Sequence, residues 1–342
     1  MALVQEEITE RILEIKKTYG SRLFIPAHHY QRDEIVRLAD CTGDSLELSR
    51  AAAKTDAEYI VFCGVRFMAE TARVLSGENK RVFMPRPDAG CPLADFGSLE
   101  EIELVWKRLE RVRPGEYVPV TYVNSHVEVK SFCGSNGGFV CTSSNAKRIF
   151  QAVLEEKKRV FFMPDRNLGI NTAYGLGLED DYEVVGVDGQ EEHIAGRRIA
   201  IWDGFCYVHR AFIVDQISAM REKYPGIKVI VHPECDPEVV KEADITGSTS
   251  QIKRYIEESA SGSRWAVGTE LRFVTRLQHE NGDKVIEPLF PSLCGDMSKS
   301  GVDDLLRTLE LIEKGDYAEQ ILVSPEVVDG AKKAIVRMFE TG

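Results

Sequence analysis

The sequence predicts an α/β fold: three pseudo-symmetric α/β/α three-layer domains, each with a short, mainly parallel sheet, arranged around a central cavity. Three observations predict it. Short apolar runs alternate with amphipathic helical segments, the pattern of parallel sheets covered by helices. The alternation recurs three times at closely related spacing. Each recurrence closes on a single cysteine in a loop containing Gly or Pro. The length, 342 residues, suits two or three domains.

The first helix is marked by Val4, Ile8, Ile12, Ile15 and Tyr19 on one face, with Gly20 as its stop. The first repeat opens with a strand over 23–27 that ends in His28-His29-Tyr30. Ser45, in Gly43-Asp44-Ser45, then starts a helix. A strand over 59–63, a helix through Met68 and Leu75 and a strand over 82–84 lead to Cys91.

The second repeat is a stretched copy. A strand over 117–122 leads to Asn124, and Thr142-Ser143-Ser144 begins the next helix. A strand over 160–163 ends in Pro164-Asp165, and one over 198–201 runs into Trp202-Asp203-Gly204-Phe205-Cys206. The third repeat restores the first spacing. A strand over 228–231 ends in His232-Pro233-Glu234, and Thr249 starts a helix at the same offset from His232 that separates Ser45 from His28. A strand over 265–267 ends in Gly268-Thr269-Glu270, and Cys294 follows. The offset from Thr249 to Cys294 matches that from Ser45 to Cys91 to within a single position.

The implied domains are 20–107, 108–213 and 214–300, with 1–19 and 301–342 as terminal helices packed on the outside. Leu305, Leu306, Leu309 and Ile312 mark one helix of the last segment, and Val327, Val328, Ala331 and Ile335 the other.

In open α/β sheets, ligands sit beyond the carboxyl ends of the strands. Helix N-termini point there too, and their free N–H groups favour anions. A single hydroxyl at a helix start is most simply an N-cap. Three at related spacing, each following a polar strand end, point to a shared site for an anion.

Eight cysteines occur, without a CxxC pair. The expected compartment is reducing, so they are not read as a disulfide framework. Cys63 ends an apolar strand and reads as core, Cys133 and Cys141 flank a Gly-rich stretch, and Cys41 and Cys235 adjoin strand ends. Cys91, Cys206 and Cys294 stand in equivalent loops where backbone can approach a metal centre. Three thiolates are too few for a closed structural zinc site. They are also one short of the usual set around an electron-transfer [4Fe–4S] cluster, and would leave one iron open as a Lewis acid.

A net charge of −12 argues against nucleic acid as partner. No apolar run is long enough for a membrane helix. The N-terminal segment is acidic and helix-patterned, unlike a signal or transit peptide, so a cytoplasmic protein is expected.

From Leu23 to Met297 the chain resembles the quinolinate synthase family. The resemblance rests on Ala27-His28-His29-Tyr30-Gln31, Gly43-Asp44-Ser45-Leu46-Glu47 and Gly64-Val65-Arg66-Phe67-Met68-Ala69-Glu70-Thr71-Ala72. Thr121-Tyr122-Val123-Asn124-Ser125, Cys141-Thr142-Ser143-Ser144-Asn145-Ala146, Pro164-Asp165, Leu168-Gly169, His232-Pro233-Glu234 and Gly247-Ser248-Thr249-Ser250 continue it in order.

The resemblance implies a triangle of three α/β/α domains around a [4Fe–4S] cluster held by Cys91, Cys206 and Cys294. It implies condensation of iminoaspartate with dihydroxyacetone phosphate to quinolinate, for NAD synthesis, with coupling to an L-aspartate oxidase or dehydrogenase. Its substrate contacts fall on His28, Tyr30, Ser45, Tyr122, Asn124, Ser143, His232, Glu234 and Thr249. Glu234 with His232 is the expected acid/base pair, with His28 and Tyr30 as further proton carriers. Between Tyr122 and Ser143 the chain carries about four extra residues, including Gly134, Gly137 and Gly138, which keeps Ser144 as a rival to Ser143. Glu70 and Glu270 occupy matching places and are expected to pair with Arg66 and Arg272.

Three other readings compete. One is a three-cysteine cluster enzyme of related fold acting on S-adenosylmethionine, as in diphthamide synthesis. The others are a non-enzymatic iron–sulfur sensor or carrier and a zinc protein.

Overall fold

The structure, a computed structural model, describes residues 2–188 and 196–341. The side chain of Val4, first in the expected helical stripe, lies outside the described residues. The chain divides into two compact units. One comprises Met1–Cys91, Glu270–Asn281 and Pro291–Val323; the other comprises Pro92–Thr269, Gly282–Phe290 and Ser324–Gly342.

The first unit carries β1 (Leu23–Phe24), β2 (Pro26–His28), β3 (Cys41–Gly43), β4 (Tyr59–Val61) and β5 (Arg81–Phe83). One sheet runs β1-β4-β5 and a second pairs β2 with β3, with parallel ladders throughout. The strand expected over 23–27 is therefore two strands. The backbone of Ile25 is diverted to Asp40, which takes its N–H at 2.7 Å and donates to its carbonyl at 2.8 Å. Pro26, next in line, has no N–H for a ladder.

The helices Ala2–Tyr19 and Val302–Glu313 pack together in this unit. Ile12 and Ile15 from one, and Leu305, Leu309 and Ile312 from the other, share a core with Leu23, Ile25, Tyr59, Val61 and Phe83. Each such side chain contributes about 1.5–3 kcal/mol through burial. Cys63 lies in the same core, as its sequence context suggests. The helix Ser45–Lys54 begins at a capping box, with Asp44 accepting from Leu46 and Glu47 N–H groups while Glu47 reaches back to the Asp44 N–H.

The second unit carries β6 (Tyr117–Tyr122), β7 (Phe139–Cys141), β8 (Arg159–Met163), β9 (Tyr182–Val185) and β10 (Ile199–Trp202). It continues with β11 (Lys228–Val231), β12 (Ile245–Thr246), β13 (Arg264–Gly268) and β14 (Val285–Pro288). The sheet orders are β7-β6-β8-β10-β9 and β12-β11-β13-β14, again with parallel ladders. Val160, Phe161, Phe162 and Met163 are all fully buried, so β8 is covered on both faces, as a central parallel strand must be. This is the α/β class that the alternation predicts. β9 is an addition to the expected strands.

Each repeat also contains a short helix between its first two strands: Asp33–Val36, Val127–Ser135 and Pro237–Glu242. These have 4, 9 and 6 residues, so the stretched second repeat is stretched chiefly by a longer helix. Its glycines have positional reasons. A Cβ on Gly134 would collide with the carbonyl of Gly330, and one on Gly138 with that of Pro119. Gly330 belongs to the C-terminal helix Pro325–Thr341, which packs on Val127–Ser135 and β7.

Candidate active site

Parallel register turns matched spacing into proximity. His28 pairs with Gly43, two residues before Ser45. Tyr122 pairs with Cys141, two residues before Ser143. Val231 pairs with Thr246, which sets His232 level with Gly247, two residues before Thr249. The offset makes Ser143, rather than Ser144, the counterpart of Ser45 and Thr249.

A second feature agrees. The N–H of the preceding residue is bound by the side chain three positions on: Asp44 by Glu47 at 3.1 Å, Thr142 by Asn145 at 2.7 Å and Ser248 by Gln251 at 2.8 Å. In the second repeat the helix itself starts later than expected, at Ala146 rather than within Thr142-Ser143-Ser144. Asn145 turns its side chain back to the N–H and hydroxyl of Thr142, which holds this stretch as a turn.

In the second unit Glu234 is a hub. It is 2% exposed. Its Oε1 accepts the Tyr122 phenol hydrogen at 2.5 Å, and its Oε2 lies 2.7 Å from Nδ1 of His209. The Nε2 of His209 lies 3.1 Å from the Thr269 hydroxyl. The His209 ring stacks on His232, with centroids 4.3 Å apart and planes at 19°. His232 itself stands off, its Nδ1 4.0 Å from Glu234 Oε1, and accepts the Glu234 N–H at 3.3 Å. The imidazole hydrogen-bonded to the Glu234 carboxylate is therefore His209.

Burial alone would push the Glu234 carboxyl up; His209 and His232, with the hydrogen bonds from His209 and Tyr122, outweigh it and hold the group at about 2. The Tyr122 phenol moves the other way. Burial and the adjacent Glu234 charge push it well above its ordinary value, although Ser143 hydrogen-bonds to it.

Thr249, 3% exposed, is the first residue of its helix, with Ser248 as N-cap. Among the described residues, the buried amide oxygen of Asn124 has no hydrogen-bond partner. A buried polar atom left this way is an unmet demand that a bound molecule can satisfy.

In the first unit, His28 and Tyr30 make the same local turn as His232 and Glu234. The Tyr30 N–H donates to Nδ1 of His28 at 3.1 Å, and the two rings meet edge to face at 4.7 Å. In both turns an N–H points at Nδ1, which serves as the acceptor. Arg276, 8% exposed, fixes the first turn through the carbonyls of His29 and Gln31 and the carboxylate of Asp33. Ser45 is half-buried at its helix start.

The loops of Cys91 and Cys294 are tied together within the same unit. The Gly90 N–H donates to Asp296 at 3.1 Å, and Lys299 bonds both the Asp88 carbonyl and Asp296 at 2.8 Å. Glu270, N-cap of the helix Leu271–Glu280, also accepts the Cys294 N–H at 3.4 Å. Arg272 links Glu270 to Ser298, whose hydroxyl returns to the Cys294 carbonyl. Arg66 pairs with Glu70 at 2.9 Å, so both expected ion pairs exist.

All eight cysteines are free thiols. Cys63, Cys133, Cys141 and Cys235 are buried, whereas Cys41, Cys91, Cys206 and Cys294 are half-buried. Burial pushes the Cys63 thiol up to about 12; burial with the charges of Asp40 and Glu47 pushes Cys41 up to about 11. Both hold protons that a metal ligand must give up.

Cys206 Sγ has ligand atoms of His209 and Glu234 within 4.8 Å. That trio has metal-binding composition. Yet both Glu234 oxygens and both His209 nitrogens already take part in the network described above. A single ion there would have to break it.

The sequence marks Thr269 and Asp165 only as strand-end residues, and His209 not at all. The Cys206-x-x-His209 spacing was the available signal for His209. Asp165 is fully buried and caps the helix Arg166–Gly175 through the Leu168 N–H at 2.7 Å, while its other oxygen has no hydrogen-bond partner among the described residues. Burial and then the Glu234 charge push its carboxyl well above the usual range.

The family model described as Quinolinate synthetase A protein matches residues 10–340. A quinolinate synthase of Geobacillus sp. (strain WCH70) is 43% identical over 343 residues, covering 98% of this chain and 93% of the relative. That of Bacillus subtilis is 43% identical over 345 residues, with 98% and 94% covered. That of Bacillus licheniformis is 44% identical over 348 residues, with the same coverage. With a match of this length and relatives of this identity, the chain belongs to the quinolinate synthetase A family of enzymes.

Proposed function

We propose that this chain condenses iminoaspartate with dihydroxyacetone phosphate to quinolinate, releasing phosphate and two waters, in de novo NAD synthesis. The observation that carries the reading is the buried Tyr122–Glu234–His209–Thr269 chain with His232 stacked against it. Ring formation needs a proton taken from carbon and hydroxyl groups lost as water. An ionised carboxylate beside a phenol and two imidazoles can accept and return such protons. Glu234 is the base, and Tyr122, which donates to it, carries the proton nearest to it. His28 and Tyr30 supply the second set of proton-bearing groups. Ser45, Ser143 and Thr249, at three turn or helix starts, receive the carboxylates and phosphate. Asn124 offers its amide to a carboxylate.

Cys91, Cys206 and Cys294 would hold the [4Fe–4S] cluster; their half-buried thiols and bordering glycines suit it. When bound, it supplies Lewis acidity for loss of hydroxyl groups. The three repeats, 20–107, 108–213 and 214–300, each contribute one of these cysteines. Free thiols fit a reducing cytoplasm, and among the described residues no helix is long and apolar enough to cross a membrane. An L-aspartate oxidase or dehydrogenase is the expected source of iminoaspartate.

The test is anaerobic. Protein reconstituted with iron and sulfide is given iminoaspartate and dihydroxyacetone phosphate, and quinolinate is measured. Cys206→Ala is expected to lose both colour and product, and Glu234→Gln to keep the colour and lose the product. Full activity of the Glu234 variant sinks the acid/base assignment; no quinolinate from the wild type sinks the function.

A further inference from the structure

A cavity of about 440 Å³ lies in the second unit, bounded by the helices Arg166–Gly175 and Pro237–Glu242 and by the starts of the two capped segments at Ser143 and Gly247. Its size is typical of a small-molecule site. Its charge is not typical of this chain. The chain as a whole carries −12, yet among the described residues the cavity lining includes Lys147 and Lys241 and no carboxylate. Lys241 is held at the wall with its ammonium 4.0 Å over the ring of Tyr174, another lining residue. Tyr174 is the principal group acting on that ammonium, with Tyr182 and Glu238, one turn earlier, contributing less. The remaining polar surface comes from Ser143, Ser144, Asn171 and Gln251.

The cavity adjoins the reactive cluster through two of its lining residues. Ser143 lines it and hydrogen-bonds Tyr122, whose phenol in turn donates to Glu234. Pro233 lines it between His232 and Glu234 in sequence. The hydroxyl of Ser144 donates to that of Ser248 at 2.9 Å, which joins the two segment starts that carry Ser143 and Thr249.

We infer that this cavity is an anion port through which a phosphate dianion reaches or leaves the Tyr122–Glu234 cluster, drawn by Lys147 and Lys241 and passed to Ser143. The shared chemistry is the phosphoryl group, borne by the triose phosphate on the way in or free as inorganic phosphate on the way out. Cationic walls in low-dielectric clefts concentrate anionic ligands by tenfold or more. The inference rests on the function proposed above for the identity of the triose, though not for the binding of phosphate.

Lys147→Gln and Lys241→Gln, singly and together, provide the test, because both side chains are exposed and neither belongs to the reactive cluster. Inorganic phosphate and dihydroxyacetone phosphate are titrated separately into the full-length, cluster-free protein by calorimetry. In the loaded enzyme, kcat/KM for the triose phosphate and inhibition by inorganic phosphate are followed against salt.

The double variant is expected to bind both anions about tenfold more weakly. A fall in kcat/KM, with a shallower salt dependence and unchanged cluster absorption, identifies the inward route. Loss of phosphate inhibition with kcat/KM intact identifies the outward route. A double variant that matches the wild type in anion binding, kcat/KM and salt slope overturns the port. A wild type that binds phosphate but makes no quinolinate overturns the proposed function and leaves the port standing.

Discussion

Nδ1 of His209 lies 2.7 Å from Oε2 of Glu234, and both side chains are almost completely buried. The contact fixes which way the carboxylate faces, because the other oxygen is held by Tyr122. His209 thereby positions the group proposed as the base. A buried hydrogen bond to a charged partner contributes about 1.5–3 kcal/mol. His209→Ala is expected to lower kcat roughly 10- to 100-fold through misplacement of Glu234, while retaining cluster absorption. His209→Asn, which can still donate, should recover part of that loss. A wild-type kcat in His209→Ala would remove the positioning role.

Thiol reactivity should separate the cysteines. Cys41, held at about 11, has roughly a thousandth of its population as thiolate at pH 8. Cys63 is held at about 12 and is also buried. In cluster-free protein treated with iodoacetamide at pH 8, Cys91, Cys206 and Cys294 are expected to be alkylated first. Cys41 should accelerate as the pH approaches 11. Peptide mass spectrometry reads the order, and early labelling of Cys41 at pH 8 would contradict the environment described for it.

The contact between Gly134 and Gly330 should be intolerant of added volume. A Cβ on Gly134 meets the Gly330 carbonyl, and one on Gly330 meets the Ser131 carbonyl at 2.6 Å. Backbone atoms cannot swing aside as a side chain can. Gly134→Ala is expected to cost about 1–3 kcal/mol by overpacking, visible as a lower denaturation midpoint. Gly226→Ala, strained in its backbone at φ +79° but with nothing within 4 Å of its Cβ, separates backbone strain from collision. A Gly134 variant as stable as wild type would show that the helices can shift apart freely.

Asp165 predicts a pH dependence of stability. Its carboxyl is pushed above the ordinary 3.8 by burial and by Glu234, so the folded state keeps this proton after the unfolded chain has lost it. Its contribution is therefore fully present below about pH 3.8 and falls as the pH rises towards the folded-state value. Asp165→Asn removes the titration and can still accept the Leu168 N–H. Denaturant midpoints of the variant should exceed wild type more at pH 8 than at pH 5. An equal difference at both would show that Asp165 does not hold its proton.

Residue order alone was enough for the α/β class, the strand ends at His28, Tyr122 and His232, and the three loop cysteines. These are local matters: apolar periodicity, turn residues and chain spacing need no knowledge of neighbours. The equal His28-to-Ser45 and His232-to-Thr249 offsets are legible without their cause, a short helix between two parallel strands. Folding in three dimensions was needed to make His209, 25 residues from Glu234, its hydrogen-bonded imidazole, and to complete the chain with Thr269. It was needed also to make Ser143 rather than Ser144 the counterpart of Ser45 and Thr249, since ladder register sets that alignment. A hydrogen bond between distant segments depends on register and packing, and a one-dimensional pattern of residue types carries neither.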